Sequence, residues 1–273
     1  MNLRRNKLTA FAGGLTALLI AAALFAPLIA PYDPLAQDVI QRLKGPTALH
    51  WLGTDQFGRD TFSRILYGMR ASLAISGGAV GAALIAGGAI GLAAAFYRGW
   101  IERVLMRAMD VLFAFPVILL AIAIIAILGP GAITTAIAIA VVYTPIFARL
   151  LRGPALSIVE SDYVLAARSI GASDLRIALL HVLPNLASIV LVQTSLLLSA
   201  AILVEASLSF LGLGTQPPSP SLGTMLSEGR NFLMLSAWNS VFAGLGILIL
   251  SFALNLLGDA LRDALDPRLR RAA

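Results

Sequence analysis

SLAISGGAVGAALIAGGAIGLAAAF, residues 72–96, runs for 25 residues without one Asp, Glu, Lys, Arg or His. An α-helix rises about 1.5 Å per residue, so roughly 20 apolar residues cross the hydrocarbon core of a bilayer. This stretch is long enough to do so, and it marks the chain as a helical membrane protein. Its glycines Gly77, Gly81, Gly87, Gly88 and Gly91 fall at small-xxx-small spacing, which predicts close approach of neighbouring helices.

The rest of the chain repeats the pattern. Hydrophobic residues make up 59% of the 273 positions and charged residues 12%, and the mean hydropathy is +0.88. Soluble domains carry about 25% charged residues. Further apolar runs cover residues 8–30, 111–128, 133–149, 186–211 and 237–258. The expected fold is an all-α integral membrane protein with six transmembrane helices. The first run follows Arg4, Arg5 and Lys7, as a signal peptide does, but it exceeds the roughly 7 to 15 apolar residues of such a segment and reads as a span. Pro116 and Pro145 fall inside the third and fourth runs, where a missing backbone donor predicts kinks.

Between the spans the chain divides into a terminus with its first span (1–30), a polar loop (31–71) and a five-span core (72–258). Two segments interrupt that core, a polar one at 150–185 and a Pro- and Gly-rich one at 212–236, and a basic tail (259–273) follows it. Residues 55–70 carry charges close to a span, as an interfacial helix does. Orientation follows from Lys and Arg, which are retained on the cytoplasmic side. With both termini inside, 14 of the 20 basic residues fall on the cytoplasmic side and six (Arg42, Lys44, Arg59, Arg64, Arg70 and Arg230) outside. Short basic clusters between apolar runs are topology signals, so the net charge of +6 does not point to nucleic acid.

Few residue types are available for chemistry. Cys is absent and His occurs only at His50 and His181, so no catalytic residue and no metal site is expected. No phosphate-binding Gly-rich loop surrounds Lys7 or Lys44. Ion-coupled carriers place carboxylates or histidines within their spans, and here the clear case is Glu205. With Ser209 it is read as bordering a translocation path or outer gate, or as a hydrogen bond to a neighbouring helix or subunit.

Residues 160–185, ESDYVLAARSIGASDLRIALLHVLPN, are too polar to span yet helical in pattern. Ala166 and Ala167 present a small face, Gly171 permits a change of direction, and Pro184 can start the fifth span. The segment reads as a docking surface or as an ordinary loop.

It resembles the cytoplasmic coupling loop of permease subunits in binding-protein-dependent ABC importers, which reads EAA, three residues, G, nine residues, I, any residue, LP. Leu165, Ala166, Ala167, Gly171, His181, Leu183 and Pro184 take those positions without a gap, with Leu165 in place of Glu and His181 in place of Ile. Residues 50–73, HWLGTDQFGRDTFSRILYGMRASL, and 209–226, SFLGLGTQPPSPSLGTML, together with the ending LGDALRDALDPRLR, resemble the second permease of the peptide and nickel branch.

The resemblance implies a type I importer bundle in a bacterial inner membrane. It also implies a second homologous permease, two cytoplasmic ATPase subunits that bind ATP and Mg, and an extracytoplasmic solute-binding protein. By the same resemblance Tyr163, Ala166, Ala167, Arg168, Gly171, Ala172, Asp174, His181 and Pro184 contact an ATPase, and residues 50–70 and 212–236 meet the binding protein. Short peptides are the expected cargo, with nickel or a metal chelate as the alternative. An ion-coupled carrier or channel is the rival of another class.

Overall fold

The computed structural model describes residues 3–265, with side chains from residue 10 onward. Arg268, Arg270 and Arg271 of the basic tail lie outside the described residues. All regular elements among these residues are helical: α1 (Leu3–Leu24), α2 (Ala26–Ile29), α3 (Thr61–Tyr97), α4 (Gly99–Phe113), α5 (Val117–Leu128), α6 (Ala132–Val159), α7 (Asp162–Ser169), α8 (Asp174–Ile177), α9 (Leu183–Phe210), α10 (Leu222–Arg230) and α11 (Trp238–Leu265). A π turn, Ala178–Val182, joins α8 to α9, so the chain runs as one long apolar helix from Asp174 to Phe210.

Among the described residues four helices are long and apolar enough to cross a membrane: α3, α6, the run ending in α9, and α11. The pair α4 and α5 makes a fifth if it counts as one broken span, because the two are bent by 94°. In α1 the apolar part among residues with described side chains is Ala10–Leu24, shorter than a full span.

Element boundaries differ from expectation for physical reasons. The helix expected from residue 72 begins at Thr61, where the Asp60 side chain accepts the backbone N–H of Ser63 and caps it. The expected interfacial helix at 55–70 is therefore a capped turn followed by the first turns of α3. The third run breaks outright at Pro116, which precedes α5, instead of kinking. By contrast α6 continues through Pro145 and Pro154 to Val159. Beside the first of these prolines Thr144 Oγ1 donates to the Ala140 carbonyl at 2.8 Å, so its hydroxyl is satisfied within the helix.

Three apolar cores order the bundle. One joins α1, the start of α3, α9, α10 and α11 through Ala23, Leu66, Ile202, Met225 and Leu250. The second joins α3, α5, α6 and α9 through Ala83, Ile125, Phe147 and Leu208. The third closes the opposite end of α3, joining Ala95 and Leu151 to Val164 of α7, Ile177 of α8, Val182 and Leu186.

Candidate functional site

Residues 160–185 form a helical knob at the end of the bundle where α3 finishes. One face is fastened: Val164, Ile177 and Val182 are fully buried in the third core. The knob turns where Gly171 adopts φ +86°, a conformation that L side chains rarely take. Ser173 caps α8, its hydroxyl accepting from the Arg176 N–H, while Arg168 bonds Asp174 across the turn at 3.1 Å. The Tyr163 and His181 rings meet edge-on at 6.1 Å, and the Asn185 side chain donates to the His181 carbonyl at 2.6 Å and to the Tyr163 hydroxyl at 3.4 Å.

The opposite face carries exposed apolar side chains, Tyr163, Leu165, Ile170 and Leu175, the last two 87% and 70% exposed. Ala166 and Arg168 are exposed beside them, Ala167, Ala172 and His181 are half-buried, and Pro184 sits exposed in the first turn of α9. The structure thus gathers all nine coupling candidates into one knob. The apolar residues Leu165, Ile170 and Leu175 were not among them, although their alternation with the buried Val164 and Ile177 was visible as amphipathic helical spacing.

The second candidate pair lies in the last turns of α9, at the end that leads to α10. Glu205 has no exposed surface. Its Oε1 accepts the Ser209 hydroxyl and its Oε2 accepts the Ser72 hydroxyl, both at 2.7 Å. Ser209 Oγ also accepts the Thr215 N–H at 3.4 Å. The carboxylate therefore ties α9 to α3 and, through Ser209, to the segment leading to α10. A Cβ on Gly223 of α10 would lie 2.7 Å from Ser209 Cβ, so helix and hydroxyl approach closely there. In this conformation Glu205 faces protein. Ser72 is the partner that sequence reasoning missed; a lone hydroxyl in an apolar run gives no sign of what it faces.

A third cluster, also missed as a unit, sits where α3 begins. Asp55, Arg59 and Arg64 are buried there and meet the half-buried Glu228 of α10. Arg59 bonds Asp55 at 2.5 Å and Glu228 at 2.9 Å, and Arg64 bonds Glu228 at 3.1 Å. Gln56 Nε2 adds a third donor to the same Glu228 oxygen at 3.2 Å. Asp55 also accepts the backbone N–H groups of Phe57 and Arg59. Two cations and two anions thus neutralise one another across 164 residues of chain.

No group of His, Asp and Glu among the described residues has metal-binding geometry, and the charged clusters read as structural ties between helices.

Residues 87–271 match the family described as "Binding-protein-dependent transport system inner membrane component". Residues 1–46 match the "N-terminal TM domain of oligopeptide transport permease C". Similar curated proteins include a dipeptide transport system permease of Alkalihalophilus pseudofirmus, 44% identical over 98% of this chain and 88% of that one. A glutathione transport system permease of Pectobacterium atrosepticum is 46% identical over 97% and 89%. A di/tripeptide transport system permease of Pseudomonas aeruginosa is 47% identical over 94% and 86%. Among solved structures, a chain of the MetNI methionine ABC transporter in an inward-facing conformation superposes with a TM-score of 0.59 at 18% identity, covering 75% of this chain and 97% of that one. That likeness carries the bundle architecture.

Proposed function

We propose, for a chain that belongs to the family of binding-protein-dependent transport system inner membrane components, that it forms half of the path by which an ATP-driven importer brings short peptides across the membrane. A second, homologous permease forms the other half. Two ATPase subunits, which hold ATP and Mg, supply the energy, and an extracytoplasmic binding protein delivers the cargo. The chain is a transport subunit rather than an enzyme. In this reading there are six spans, α1 with α2 making the first and the bent α4 and α5 the third, with both termini cytoplasmic.

The observation that carries the coupling role is the two-faced knob of residues 160–185. Its inner face is locked into the third core while its outer face offers Tyr163, Leu165, Ile170 and Leu175 to a partner. Apolar side chains grouped on an ordered helical projection mark a protein contact. Because α7 is packed with α8 in the third core through Val164 and Ile177 and α8 continues without a break into α9, a displacement at α7 is carried along α9 to Glu205, where α9 is bonded to α3. Alternating access is then a switch between two packings of these helices, biased by the state of the ATPase.

Ala167→Glu tests this. It puts a charge at half-buried Ala167, beside the exposed Ala166 and Arg168; in a variant whose melting temperature shows the permease still folded, the ATPase subunits should no longer copurify and uptake should fall to background. Wild-type retention of the ATPase together with wild-type uptake would make residues 160–185 an ordinary loop. Peptide cargo is supported by the relatives named for dipeptides, di/tripeptides and glutathione. Uptake of a labelled dipeptide by the reconstituted complex should require ATP and be competed by unlabelled di- and tripeptides. Competition by nickel ions instead would assign a metal cargo, and uptake driven by an ion gradient without ATPase subunits would assign a carrier.

A further inference from the structure

The two acids of α4 are both engaged by arginines of α6. Glu102 is paired with Arg152, and Asp110 accepts from Arg149 at 2.7 Å, so both acids are turned onto α6. The Arg149 guanidinium also lies over the Phe113 ring, 4.2 Å from its centre. Along α4 a shallow groove is lined by Trp100, Arg103, Val104, Arg107, Ala108 and Val111. These positions recur every three or four residues and form a single helical face. Trp100 is 68% exposed, and both arginines are exposed.

The pairs to α6 also fix the depth of α4. The apolar stretch of α6 from residue 132 to 148 ends at Arg149 and Arg152, and its 17 residues rise about 25 Å, close to the thickness of a hydrocarbon core. The pairs hold α4 at the charged end of α6, and the 94° bend turns it away from the direction of α5, so if α6 crosses the membrane over its apolar stretch this part of the broken span meets the zone between headgroups and acyl chains. Trp and Arg are the side chains that settle at that depth.

We propose that this face of α4 is a binding site for an anionic phospholipid, its headgroup phosphate held between the guanidinium groups of Arg103 and Arg107. Arg103 spends its Nε–H on the Gly99 carbonyl at 3.2 Å, and its side chain is otherwise exposed. Trp100 flanks the headgroup and Val104 and Val111 line the upper acyl chain. The two acids of α4 are each neutralised by an arginine of α6, Glu102 by Arg152 and Asp110 by Arg149. The site thereby couples the broken span to the lipid composition of one leaflet.

The test uses the whole transporter, purified with its partner subunits and placed in nanodiscs of phosphatidylcholine with or without phosphatidylglycerol. Native mass spectrometry should show phosphatidylglycerol retained by the wild type and lost from Arg103→Gln/Arg107→Gln, with apparent affinity reduced by about thirtyfold for two basic residues. Arg103→Lys/Arg107→Lys, which keeps the charge, should restore retention, and Arg262→Gln, an exposed arginine elsewhere, should leave it unchanged. Equal retention by the wild type and the double Gln variant would overturn the proposal. A photoreactive benzoylphenylalanine at position 104 should crosslink to lipid; crosslinking to the second permease would assign the face to that subunit and overturn it equally.

Discussion

A methyl group added at Gly91 would lie 2.5 Å from the Ala148 carbonyl oxygen, and one at Gly87 would lie 2.7 Å from Cβ of Phe147. At Gly77 and Gly81 nothing lies within 4 Å. Glycine spacing alone predicted close contact at all of them; what divides them is which face of α3 meets α6, and periodicity does not name the partner. Gly87→Ala and Gly91→Ala should therefore each destabilise the permease by about 1–3 kcal/mol through overpacking, read as a lower melting temperature of the purified complex. Gly77→Ala and Gly81→Ala should melt with the wild type, and a uniform response across the four would refute this division. Glu205 poses the other question at this scale. Glu205→Ala strands two buried hydroxyls, a loss of about 1–3 kcal/mol, whereas Glu205→Gln keeps a carbonyl oxygen for one of them. The Ala variant should melt lower and transport more slowly than the Gln variant. If both transport and melt as the wild type does, Glu205 is neither tie nor gate.

Among the elements, α10 is the one whose anchoring was least legible. Its start can be read from the chain, because Ser221 and Thr224 make a capping box. Its tie to α3 cannot, since Glu228 reaches Arg59 and Arg64 only once the loop is folded back. The same ion cluster explains why α3 starts at Thr61. Charges at Arg64 and Arg70 argue against a helix continuous with a membrane span, yet with Arg64 neutralised by Asp55 and Glu228 the helix passes through it. The 37 residues of α3 rise about 55 Å, so its first turns stand beyond the hydrocarbon core. Arg64 already holds its Nη1 without a hydrogen-bond partner. Glu228→Ala leaves Arg59 and Arg64 short of a shared anion, and breaking a buried pair in this way costs about 3–5 kcal/mol. The variant should lose α10 packing first, seen as new protease cleavage within residues 212–236 at temperatures where α6 remains protected. Cleavage identical to the wild type would show that α9 and α11 alone hold α10.

For the molecule as a whole, apolar length and basic clusters made the helical membrane class legible, because it follows from local composition; residues 160–185 were legible only as a polar helical segment, docking surface or ordinary loop, and the coupling reading came from the resemblance of their motif. The path of α4 was hidden: its arginines resemble any basic loop until Glu102 and Asp110 are seen turned onto α6. Orientation is the property that neither composition nor packing measures directly, and the chain is suited to measuring it. With no cysteine in 273 residues, a single introduced thiol reports without background. Ser169→Cys, at the end of α7, and Ser219→Cys, between α9 and α10, lie at opposite ends of the bundle if α9 crosses the membrane. Retention of positive charge on the cytoplasmic side places position 169 inside and position 219 outside. A membrane-impermeant maleimide applied to intact spheroplasts should then label position 219 and leave position 169 unlabelled until the membrane is opened. Labelling of 169 alone would invert the topology, turn the knob away from any cytoplasmic ATPase, and remove the basis for coupling through α7. Labelling of both before opening would mean that α9 does not cross. The expected pattern is the one in which an exposed apolar knob and a cytoplasmic motor share a compartment.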